Sequence, residues 1–177
     1  RRDNPARMRL PRRPRPRVKN LKKGTPMQER FNYMKASPEA VKAVWALEEF
    51  VSQKAEIDPH LLHLLKIRAS QINGCAYCVD MHVKEARMAG LSEQWIALIA
   101  AWRESPVYDE RERAVLAWTE SLTNIAQTGA PDGDFEALRP HFSEEEITKL
   151  TVAISTINVW NRIAVGFRAQ HPIDQTN

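Results

Sequence analysis

Five times along this chain a Ser or Asp stands directly before helix-opening residues, and an apolar stripe at helical spacing follows. The places are Ser37-Pro38-Glu39, Asp58-Pro59, Ser92-Glu93, Asp109-Glu110-Arg111-Glu112 and Ser143-Glu144-Glu145-Glu146. A short oxygen-bearing side chain there accepts from the free N–H groups of the first turn, and a proline one step on has its φ already helical. Asp109 and Ser143 each have a glutamate three residues later, the pattern of a reciprocal capping box. Glycine is scarce, six in 177 residues, and alternating Val/Ile runs are missing, so a sheet has little to be built from. The fold class read from this punctuation is all-α, with length enough for one domain and a real core.

The stripes differ in kind. Val41, Val44, Trp45, Leu47 and Val51 mark one side of the first helix as core or subunit contact. Leu61, Leu62, Leu64, Leu65, Ile67 and Ile72 make the second apolar around most of its circumference, as a buried helix requires. Lys66 and Arg68 interrupt it and are expected on a solvated face. Asn158 and Asn161, in the middle of the last and longest helix, read as a polar contact between helices, an exposed face, or part of the lining of a thiol pocket. His60, His141 and His171 have no ligand-like spacing and are expected at the surface.

Both cysteines of the chain fall in one stretch, QINGCAYCVDMHVKEARMAG, residues 71–90. Gly74 reads as a break that sets Cys75 at the start of a helix, and Gly90 as its left-handed end. Cys75 and Cys78 form a C-x-x-C pair, and His82 lies one turn beyond Cys78 on the same face. Free N–H groups and the positive end of the helix dipole favour a thiolate there, and an imidazole alongside can take or return its proton. These residues read as a redox-active dithiol. Three other readings stand beside it: a pair of inert buried cysteines, a zinc site of Cys75, Cys78 and His82 with His63 as fourth ligand, and a non-catalytic helical oligomer whose dithiol senses oxidants. No G-x-G-x-x-G or G-x-x-x-x-G-K run announces a flavin or nucleotide, and no cofactor is expected.

The run LLKIRASQINGCAYCVDMH, residues 64–82, followed by AWRESPVYDERERAVLAWTESLT, residues 101–123, resembles the alkyl hydroperoxidase D family of the carboxymuconolactone decarboxylase-like superfamily. The likeness runs from about Met27 to Phe167. It implies an all-helical bundle, a thiol-dependent peroxidase or disulfide oxidoreductase acting on alkyl hydroperoxides, and assembly as homo-trimers or hexamers. It also implies Cys78 as the sulfur that attacks peroxide, Cys75 as its resolving partner, and His82 in a proton relay. An external dithiol or protein donor would return the electrons. The family's relay glutamate falls twelve residues before the first cysteine, where this chain has His63. The superfamily's lactone decarboxylases lack the cysteine pair, which makes that activity the weaker alternative.

Residues 1–26 stand apart. They carry eleven Lys/Arg against one Asp and five of the eleven prolines, whereas residues 27–177 are net acidic. Such a segment cannot bury enough apolar surface to order itself. It reads as a linker or extension in preference to an arm that binds nucleic acid by counterion release; the domain is assigned to residues 27–177. No apolar run approaches a membrane span, and no apolar stretch follows the first charges as in a secretory signal. The expected location is therefore cytoplasmic, where a cycling C-x-x-C fits the reducing environment.

Overall fold

The computed structural model describes residues 28–174. The basic extension assigned to residues 1–26 lies outside them. Every regular element among the described residues is helical: α1 (Tyr33–Ala36), α2 (Pro38–Glu49), α3 (Pro59–Ile72), α4 (Ala76–Met88), α5 (Glu93–Leu98), α6 (Glu110–Thr123), α7 (Ile125–Thr128), α8 (Asp132–Glu136) and α9 (Glu144–Phe167). A wider turn, Phe50–Lys54, prolongs α2, and a tighter one, Ile99–Ala101, prolongs α5. None of the described helices is long and apolar enough to cross a membrane.

The caps work largely as the sequence indicates. Asp58, Ser92, Asp109 and Ser143 each accept a backbone N–H of the turn that follows, and both capping boxes close. Ser37 occupies the cap position of α2 without a side-chain bond, so Pro38 alone sets that start. The two glycines that bracket α4 have positive φ, +64° at Gly74 and +83° at Gly90, values that side chains with a Cβ rarely adopt.

The middle of the bundle is α3, packed on α4, α6 and α9. Leu64, Leu65 and Ile67 are fully buried, and α9 contributes Leu150, Ile154 and Ile157 to the same core. Burying a Leu or Ile side chain is worth about 1.5–3 kcal/mol, which is why the most apolar helix takes the centre. The lead-in folds back on the end of α9: Arg30 N–H donates to the Phe167 carbonyl (3.1 Å), and Phe31 and Tyr33 pack on the Phe167 ring at 4.9 and 5.3 Å.

The structure corrects two sequence expectations and narrows a third. Helix α2 buries none of its own residues: Trp45 is 54% exposed and Leu47 44%. Of its stripe, Val51 joins the core, from the turn that prolongs the helix. Lys66 and Arg68 are not solvated. Each is drawn into an ion pair, Lys66 Nζ with Glu48 (2.6 Å) and Arg68 with Glu120 (2.7 Å), which compensates the burial of the charge. His60 is only half exposed, its Nε2 donating to Glu112 (2.8 Å) and its ring packing edge-on against Trp95.

Candidate active site

The chain turns at Asn73 and Gly74 and enters α4 with Cys75 as its N-cap. An extended backbone at Cys75 points its sulfur at the first turn, where the Cys78 N–H donates to it (3.4 Å). The two sulfurs lie 2.8 Å apart as free thiols sharing a hydrogen bond. Both are nearly sealed, Cys75 at 1% exposure and Cys78 at 3%. They differ in what they face. Cys78 lines a cleft of about 180 Å³, and Cys75 lies behind it.

The cleft is mostly apolar, walled by Tyr33, Trp45, Tyr77, Met81 and Trp160 with the Glu48–Lys66 pair set among them. The Trp45 and Trp160 rings meet edge to face at 5.1 Å, and Trp160 Nε1 donates to Glu48 (3.2 Å). A larger groove of about 440 Å³, between the α2–α3 link and the start of α9, has neither thiol in its wall.

The Cys75 thiol is lowered to about 7, chiefly because Cys78 can donate a hydrogen bond to its anion. Burial opposes this, while the Cys78 and Tyr77 N–H groups and the Asn161 amide add to it. The Cys78 thiol is pushed up, first by its bond with Cys75, then by burial and by the charge on Cys75. Of the two thiols, the one at the helix start is therefore the more acidic.

The amide that reaches the sulfurs is held in place. Asn161 is fully buried; Asn73 Nδ2 donates to its Oδ1 (2.9 Å), and its own Nδ2 donates to Ser70 Oγ (3.0 Å). Asn73 also donates to Asn158 (2.9 Å), whose Nδ2 donates to Thr123 (3.1 Å). With its oxygen engaged by Asn73, Asn161 presents N–H to the thiols. The two asparagines thus form a contact between helices, and Asn161 also reaches the dithiol.

His82 lines the same cleft at 4% exposure. Its Nδ1 bonds Glu85 (2.8 Å), whereas Nε2 is the one buried side-chain nitrogen or oxygen without a partner among the described residues. His63 is placed differently. It is half-buried on α3 beside Glu85, His82 and Lys66, burial lowers its pKa, and it is not in the cleft wall. So the structure brings Cys75, Cys78 and His82 together, with His63 outside the cleft. Among the described residues no cluster of three or more His, Cys, Asp or Glu side chains is arranged to hold a metal ion, so the zinc reading lacks a ligand set. Glu48 and Glu85 were not singled out by sequence. For Glu85 the signal was there: residues 78, 82 and 85 fall on one helical face.

The profile of the carboxymuconolactone decarboxylase family matches residues 38–121. An uncharacterized protein of Bacillus subtilis (strain 168), YdfG, is 38% identical over 139 residues, spanning 78% of this chain and 94% of that one. The chain belongs to the carboxymuconolactone decarboxylase family. A crystal structure from Agrobacterium tumefaciens, of a protein of unknown function named as a candidate AhpD antioxidant-defence protein, is 65% identical. It covers 83% of this chain and all of that one, with a TM-score of 0.81. The fold is therefore AhpD-like. The debrominase Bmp8 shares it at 21% identity, with a TM-score of 0.71 over 78% of this chain and 74% of its own.

Proposed function

We propose that this protein is a thiol-dependent peroxidase that reduces organic hydroperoxides at Cys78 and closes a Cys75–Cys78 disulfide in each turnover. The single observation that carries this reading is the pair of free thiols 2.8 Å apart with one sulfur, Cys78, in the wall of an apolar cleft. The AhpD antioxidant name of the 65%-identical Agrobacterium protein supports it.

The chemistry balances with the residues at hand. His82 takes the Cys78 proton as the sulfur attacks the outer peroxide oxygen. The O–O bond breaks, a sulfenic acid forms on Cys78, and the alkoxide leaves with the proton His82 had taken, as the alcohol. Cys78 has then lost two electrons and the peroxide has gained them. Cys75, already the more acidic thiol, attacks the Cys78 sulfur. A disulfide forms, and hydroxide departs as water with the proton that the Cys75 thiol gives up. An external dithiol resets the pair by exchange. The apolar, aromatic wall favours an oxidant with a hydrocarbon body over hydrogen peroxide.

The test is turnover of cumene hydroperoxide, tert-butyl hydroperoxide and hydrogen peroxide with dithiothreitol as donor, each measured against the uncatalysed rate. Saturable turnover is expected, with kcat/KM highest for cumene hydroperoxide. Rates no greater than dithiothreitol alone for all three would contradict the proposal.

A further inference from the structure

We propose that Glu85 is the positioning carboxylate of the site, holding His82 as the tautomer whose Nε2 is free to take the Cys78 proton. This rests on the peroxidase reading for its biological sense, but the juxtaposition stands on its own. Cys78, His82 and Glu85 occupy positions i, i+4 and i+7 of α4, so one rigid helix supplies thiol, imidazole and carboxylate on one face.

The hydrogen-bond inventory fixes the roles. An ionised carboxylate can only accept, so the 2.8 Å contact between Glu85 Oε2 and Nδ1 requires the proton on Nδ1. That leaves the lone pair on Nε2, the ring nitrogen buried without a partner, on a residue that shares the cleft with Cys78. The carboxylate also offsets the positive charge that the ring gains with the thiol proton. Its bond with His82 lowers the Glu85 pKa and keeps the group ionised.

Other ionisable groups face this pair. Lys66 and His63 come from α3 and Glu48 from α2, and Tyr33 approaches from α1. Lys66 is neutralised by Glu48 (2.6 Å). His63 is the rival for the relay. It has no carboxylate to offer, and it lies outside the cleft wall.

The experiment isolates the proton step from peroxide chemistry. In a Cys75→Ser background, where serine keeps an N-cap oxygen, the alkylation of Cys78 by iodoacetamide is followed from pH 5 to 10. Glu85→Gln removes the charge and lets the amide pair with either tautomer. The rate at pH 7 is expected to fall about tenfold, the thiolate loss of one unit of lost charge stabilisation. The pH profile should move upward, and Glu85→Asp should recover part of the loss. An unmoved rate and profile in Glu85→Gln, or an equal or larger shift in His63→Gln, would overturn the assignment. The two proposals fail separately. If alkylation responds to Glu85 while the unmutated protein leaves hydroperoxides intact, the positioning role stands and the peroxidase reading falls. If hydroperoxide is reduced and the Glu85→Gln profile is unmoved, only this inference falls.

Discussion

Cys78→Ser is expected to lower hydroperoxide turnover about a thousandfold or more, equivalent to about 4 kcal/mol of barrier. Cys78 presents the sulfur in the cleft wall, and serine oxygen has neither the nucleophilicity nor the redox chemistry to replace it. Cys75→Ser should fail in another way. The first step remains open, so Cys78 is oxidised once and stalls as sulfenic acid, which dimedone traps. Steady-state turnover falls because no resolving thiol lies within reach. Mass spectrometry after peroxide should therefore find a dimedone adduct on Cys78 in Cys75→Ser and none on Cys75 in Cys78→Ser. An adduct on Cys75 alone would reverse the two roles.

The largest effect on stability is expected at Lys66. Its ammonium is buried against Glu48, which also accepts from Trp160. Lys66→Met leaves the Glu48 carboxylate uncompensated beneath the aromatic wall, and loss of one partner of a buried pair costs about 3–5 kcal/mol. Glu48→Leu with Lys66→Met removes both charges and should recover most of that loss. The remainder is the unpaired Trp160 indole, a net effect of about 1 kcal/mol. Urea unfolding of the two variants decides the matter through their midpoints. Equal destabilisation of single and double variants would mean that packing, and not charge, holds this corner together.

Much of the fold was readable because helix ends are local events. Asp109 and Ser143 announce capping boxes within four residues, and the structure closes both. The left-handed turns at Gly74 and Gly90 follow from what a Cβ would disfavour there. The thiol–imidazole face of α4 was equally plain, since i and i+4 residues are neighbours on any helix.

What escaped depends on partners distant in sequence. Lys66 read as solvated because its counter-ion, Glu48, lies 18 residues away on another helix. Trp45 read as core or contact, and only the packing of α2 shows it half open beside the cleft. Asn161 reaches the thiols from α9, oriented through Asn73, an arrangement without a sequence pattern of its own. Glu85 stands at a legible spacing from His82, but the resemblance points to the position of His63 on α3, whereas the carboxylate bonded to His82 comes from α4.

The most direct test of the dithiol account is the intact mass of the reduced protein after one equivalent of cumene hydroperoxide. The account predicts loss of two hydrogens, no remaining alkylatable thiol, and one cumyl alcohol per chain, with the Cys75–Cys78 link found by peptide mapping. Two thiols still free after the peroxide is added, or oxygen added to the protein with no disulfide, would contradict it.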